Sequence, residues 1–155
     1  MTVYHSPNCH HCGLTEDLEH LLLQCTEAQN FWLQIQHLIT KLTDNTITLN
    51  DTTKLFGYLR KKDDTLDKST TNLLNWILTL ARVALHKSAA TFRLHGQNVA
   101  AYTLFSIMVK SHLTQQFKIS KLKHTTYLFP YTWGLKDAIV QVNNDVSIQY
   151  IKNTD

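Results

Sequence analysis

Cys9-His10-His11-Cys12-Gly13-Leu14-Thr15-Glu16-Asp17-Leu18-Glu19-His20-Leu21-Leu22-Leu23-Gln24-Cys25 is the stretch from which this chain is best read. All three cysteines fall inside it, in the pattern C-x2-C-x7-H-x4-C. Zn2+ is four-coordinate and takes thiolates and imidazoles, and a C-x2-C pair is its commonest sequence sign. Two cysteines so spaced reach one ion from a tight turn, and Gly13 behind Cys12 suits that turn by allowing positive φ. Cys9, Cys12, His20 and Cys25 are therefore the expected ligands. Three buried free thiols are the plainer alternative, and a disulfide is weaker still, because three cysteines leave one over. His5, His10 and His11 also compete for a coordination place. His20 is preferred because it makes a second pair with Cys25 that a short helix can present. Thr15 is the expected N-cap of that helix, with Glu16 and Asp17 in its first turn. Leu18, Leu21 and Leu22 are expected to fold it over the metal turn. His10 and His11 are expected to be solvated turn residues.

Ser6-Pro7-Asn8-Cys9-His10-His11-Cys12-Gly13, then Leu18-Glu19-His20-Leu21, Cys25 and Phe31-Trp32 together resemble the zinc-binding domain that follows the polymerase of LINE-type (non-LTR) retrotransposon reverse transcriptases. There a C-x2-C-G turn leads to a leucine-x-His helix, a closing cysteine, and an aromatic-Trp pair opening the next helix. The resemblance is specific from Ser6 to Trp32 and loose beyond. It departs from the retroviral zinc knuckle, whose middle spacing is shorter. It implies nucleic-acid contact in a reverse-transcribing particle, for a piece of a longer protein or a small descendant of one.

A chain of 155 residues, scarce in glycine and proline, is long enough for a single domain, 1–155, with one core. No apolar run is long enough to span a bilayer and the polar start is no signal peptide, so no membrane role is expected. Thiols kept for metal point to a reducing compartment, nucleus or cytoplasm. The net charge of +3 says little, but its distribution says more: from Ser69 to Lys123 there is no Asp or Glu. Arg82, Lys87, Arg93, Lys110, Lys118, Lys121 and Lys123 all fall there. Such a stretch builds a local positive field that attracts phosphates or acidic partners.

The metal module, 5–32, feeds a helix through about Leu42, with Thr26 and Gln29 as a capping box and Phe31, Trp32, Ile35 and Ile39 on its apolar stripe. Leu55 and Phe56 are expected to insert from one helical turn into the core. Arg60-Lys61-Lys62-Asp63-Asp64 reads as a solvated connector. The region 67–124 reads as a basic helical hairpin. Its first helix runs to His95, with Ser69 or Thr70 as cap and Gly96 as stop; its second runs from Gln97 to about Phe117. On the first, Arg82, His86 and Arg93 share a face, the arginines roughly 16 Å apart, enough to straddle several phosphates; a merely solvated face is the alternative. Lys118 to His124 alternates basic with apolar residues between Phe117 and Tyr127. That suits phosphate contact with base stacking or a lysine-guarded edge strand. The segment 127–152 is an aromatic patch followed by a β-hairpin over 138–151.

Four ligands close a zinc site, which favours a structural ion over catalysis. There is no serine elbow, phosphate loop or carboxylate pair, so no enzyme is expected. The expected molecule is mainly α, a zinc-stapled helical domain with a small C-terminal β-hairpin. Arg82, Lys87, Arg93, Lys118, Lys121 and Lys123 are its candidate contacts to RNA or DNA. The rival is a protein-interaction module docking on a polymerase core or a host partner.

Overall fold

The computed structural model describes residues 7–60, 62, 65–133, 140–143 and 147–150, with side chains through Trp133. The described chain is mainly helical: α1 Thr26–Thr43, α2 Asp51–Phe56, α3 Lys68–His95, α4 Ala101–Leu122 and α5 Phe129–Trp133. A π-helical turn, His20–Gln24, precedes α1, and a 3-10 turn, Thr126–Leu128, precedes α5.

The longest helix has clear local causes. Asp67, rather than Ser69 or Thr70, is its cap, its carboxylate accepting the Thr70 N–H at 2.7 Å. Leu74, Ile77, Leu78, Ala81, Ala84 and Leu85 then recur at three- and four-residue spacing and are buried. Gly96 ends α3 at φ 66°, its N–H donating to the Phe92 carbonyl. Its 28 residues make a rod about 42 Å long.

The second helix starts at Ala101, not Gln97, and runs to Leu122. Residues 96–100 form a connector held by the Ser88 hydroxyl, which donates to the Val99 carbonyl at 2.6 Å. Lys118 and Lys121 are therefore helical, and the edge-strand alternative falls. α3 and α4 pack antiparallel, with Ser88 opposite Val99 and Trp76 opposite His112. The main core gathers Phe31, Trp32, Ile35 and Ile39 of α1 against Leu78, Ala81 and Leu85 of α3 and Phe105 of α4. A smaller cluster, Leu113, Phe117 and Phe129, joins it through Trp76 and Val109.

The expected insertion of α2 is half right. Leu55 packs on the core, but Phe56 is 78% exposed. Gly57 turns the chain away at φ 95°, where a Cβ would lie 2.7 Å from Asn75 Oδ1. That oxygen accepts the Tyr58 N–H, and the Asn75 amide donates to the Tyr58 carbonyl. Backbone pairing sets Val140–Asn143 antiparallel to Ser147–Tyr150. The turn between them, all their side chains and the remainder of the expected hairpin over 138–151 lie outside the described residues. Of the charged connector, Lys61, Asp63 and Asp64 also lie outside them. Among the described residues no helix is long and apolar enough to cross a membrane.

Trp76, His112 and Trp133 form a triangle of rings with centroids 5.2 to 5.3 Å apart. Trp76 Nε1 and His112 Nε2 are buried there without a hydrogen-bond partner. Burial lowers the His112 pKa below its ordinary 6.5. The unfolded chain then binds the proton more readily, so stability is full above that ordinary value and is lost as pH falls towards the folded one. His112→Phe is expected to flatten the fall in Tm between about pH 7 and about pH 5.5. Thermal melts followed by circular dichroism check this; an unchanged pH slope would refute it.

Candidate metal centre

The turn around Cys9 and Cys12 is closed by backbone. The Cys9 N–H donates to Leu14 O at 2.7 Å, Gly13 N–H to Cys9 O at 2.8 Å, and Glu16 N–H to Pro7 O at 2.9 Å. Asn8 and Thr15 form an antiparallel bridge. Gly13 has φ 75°, the positive value its position was expected to need.

The second ligand pair comes from the π-helical turn. At 100° per residue, positions five apart on an α-helix point roughly 140° away from each other. Here the Cys25 N–H donates to the His20 carbonyl, an i to i+5 bond that widens the turn and brings both residues to one side. The cap is Asp17 instead of Thr15: its carboxylate accepts the His20 N–H at 2.7 Å. Thr15 is held in the backbone bridge instead. Nor does a Thr26–Gln29 capping box form. Cys25 in extended conformation occupies the N-cap of α1, and the Gln29 amide donates to the Gln24 carbonyl.

Cys9, Cys12, His20 and Cys25 meet, their ligand atoms all within 4.8 Å of one another, and they could hold a metal ion. Cys9 and Cys25 sulfurs are 3.7 Å apart, and Cys12 Sγ is 3.0 Å from His20 Nε2. A tetrahedral ion bound to sulfur at about 2.3 Å and nitrogen at about 2.0 Å needs edges of about 3.8 and about 3.5 Å. The first edge is met and the second lies within a small side-chain shift. A disulfide would need the sulfurs at about 2.05 Å, and all three cysteines are free.

The electrostatics also suit a cation. Burial opposes ionisation of Cys9, but backbone N–H groups of Cys12 and His11, with the His20 and Cys25 side chains, lower its thiol to about 7. Burial pushes Cys25 up to about 11, with Cys9 beside it adding to the rise, against the N–H groups of Glu27 and Ala28 at the start of α1. Two adjacent thiolates repel, and a bound cation removes that penalty.

The centre is fastened to the helices at three points. The Trp32 indole N–H donates to the Leu22 carbonyl at 2.7 Å, inside the ligand turn. His10, expected to be solvated, stacks on Phe92 of α3 at 3.7 Å and 7°, and burial, then His11 and Arg93, lowers its pKa. Arg93 pairs with the buried carboxylate of Glu16. His11 is exposed, and His5 lies outside the described residues.

The expected nucleic-acid residues do not form one patch. Arg82 reaches back to α2, donating to the Lys54 carbonyl at 3.0 Å and to the Thr79 hydroxyl at 2.9 Å, and burial lowers its pKa. Arg93 is engaged with Glu16. Lys87 is exposed on α3. Lys118, Lys121 and Lys123 are exposed at the far end of α4, Lys121 lying 5.6 Å from the Phe117 ring centre. Phe117 itself, expected beside a stacking surface, is 5% exposed and packs edge-on against Phe129.

The sequence placed Glu16 and Asp17 in the turn before His20 and Trp32 under the metal module, but not their contacts: the Asp17 cap, the Glu16–Arg93 pair and the Trp32 indole bond to Leu22. An Asp three residues before the ligand histidine was the available sign for the first; nothing local signals the other two contacts. No family model, curated protein or solved structure matches the chain.

Proposed function

We propose that this chain is a zinc-stabilised nucleic-acid-binding domain, akin to the zinc-binding region of a LINE-type reverse transcriptase and ending in a β-hairpin over 138–151. Three cysteines and one histidine with ligand atoms within 4.8 Å of one another favour zinc, and a set of four protein ligands favours a structural ion. One observation carries the binding role: the acid-free stretch folds as the antiparallel pair α3 and α4. Its exposed lysines Lys87, Lys110, Lys118 and Lys121 therefore sit on helices that bear no carboxylate, with Lys123 capping the second. Phosphate contact falls to these lysines, while Arg82 and Arg93 serve chiefly as struts within the fold.

Fluorescence anisotropy with a single-stranded RNA of twenty or so nucleotides tests this. Neutralising about four to six phosphates should make log affinity fall by roughly 3 to 4 per log unit of salt. No binding at low salt, or no salt dependence, would overturn it. In that event the rival reading, a docking module for a polymerase core or host protein, is favoured by Phe56 and Leu59, both more than three-quarters exposed.

A further inference from the structure

We infer that the corner joining α4 to α5 is a single-strand site, where unpaired bases stack on Tyr127 and Tyr131 while Lys118, Lys121 and Lys123 hold the phosphates. This rests on the nucleic-acid reading above and names its place and strand class.

Tyr127 and Tyr131 are 65% and 75% exposed. They lie four residues apart, Tyr127 in the 3-10 turn and Tyr131 in α5, on one short exposed segment. Among the described residues no other tyrosine is exposed: Tyr58 and Tyr102 pack on the core. A large aromatic ring left in water gains nothing for folding, and two on one short segment make a platform. That platform is firmly based. Phe129 between them is buried against Phe117, and Trp133 packs edge-on against Trp76 and His112. His124 turns the chain at φ 54° between the lysines and the tyrosines.

Charge selects the occupant. Lys118, Lys121, Lys123 and His124 are exposed around this corner, and the sequence from Lys68 to Lys136 contains no Asp or Glu. Cations beside exposed rings match a chain that carries phosphates and flat apolar bases at one repeat. In a duplex the base faces are already stacked, so the rings can engage only unpaired nucleotides. Stacking tolerates every base, so the corner grips strands with little regard to sequence.

The test uses the full chain with its metal content measured, a single-stranded oligouridylate and a DNA duplex of equal length. Tyr127→Ala/Tyr131→Ala is expected to weaken single-strand binding by about a hundredfold, roughly tenfold per ring, and to leave duplex binding unchanged. The Tyr→Phe pair keeps the rings and is expected to bind like the parent. Both tyrosines project into solvent, so melting temperature and metal content should not change. If the alanine pair binds single strands as the parent does, or the parent prefers duplex, the site is wrong while the nucleic-acid reading stands. If the parent binds neither, that reading itself fails and this site with it.

Discussion

Stripping the metal, by a strong chelator or by Cys25→Ser, is expected to abolish cooperative unfolding of the N-terminal half. Residues 7–25 contain no regular element longer than the His20–Gln24 turn and its lead-in. Their buried members are Cys9, His20, Leu22 and Cys25, and three of those four are ligands. The candidate ligands are thus also most of this module's core. Structural zinc contributes roughly 10–16 kcal/mol of apparent binding free energy, as large as the about 5–15 kcal/mol that holds a whole domain together. Losing it should release the turn, uncover Trp32 and unpin α1. Calorimetry with and without chelator, alongside elemental analysis, measures this. A sharp transition unchanged after zinc is shown to be gone would remove the metal from the account.

Trp32→Ala is expected to be the most damaging substitution that touches no ligand. The side chain is 2% exposed, sits edge-on to Phe31 at 5.8 Å, and donates to the Leu22 carbonyl. Emptying that volume costs about 3–5 kcal/mol. Leaving the carbonyl unsatisfied at a helix end, where no intrahelical donor remains, adds about 1 kcal/mol or more. Trp32→Phe separates the two effects: it keeps most of the apolar volume and loses only the hydrogen bond. Leu22 lies between two ligands, so both variants should also bind zinc more weakly, Ala more than Phe. Urea midpoints and competitive zinc titrations read the two quantities. A Phe variant equal to the parent in both would show that the indole N–H positions nothing.

The candidate metal ligands were legible because their spacing is local. Cys9 with Cys12, and His20 with Cys25, need only one turn each to converge, and such turns leave sequence signs in Gly13 and in the leucines around His20. The long helices were legible for the same reason, since apolar residues at three and four apart declare a buried face. What escaped depends on contacts distant in sequence. Arg82 and Arg93 look alike on a helical wheel, yet their partners, Lys54 and Glu16, belong to elements that periodicity cannot place. The start of α4 was missed because Ala100 at its N-cap makes no side-chain bond, leaving no sequence sign, while Ser88 holds the connector from another helix. The 127–133 patch hid a division that composition cannot show: Phe129 is buried and Trp133 half-buried, whereas Tyr127 and Tyr131 face water.

The length of α3 has an architectural consequence. Phe92, near one end, carries His10 and the metal turn, while Trp76, sixteen residues earlier, carries Trp133 and the aromatic corner. About 24 Å of continuous helix separates them, beyond the distance over which substitutions usually couple. α3 is in that sense a spacer with the candidate metal turn at one end and the proposed strand-binding tip at the other. Substitutions at the tip are therefore expected to leave the metal turn undisturbed. The dependence does not run backwards, because the tip needs a folded rod to stand on.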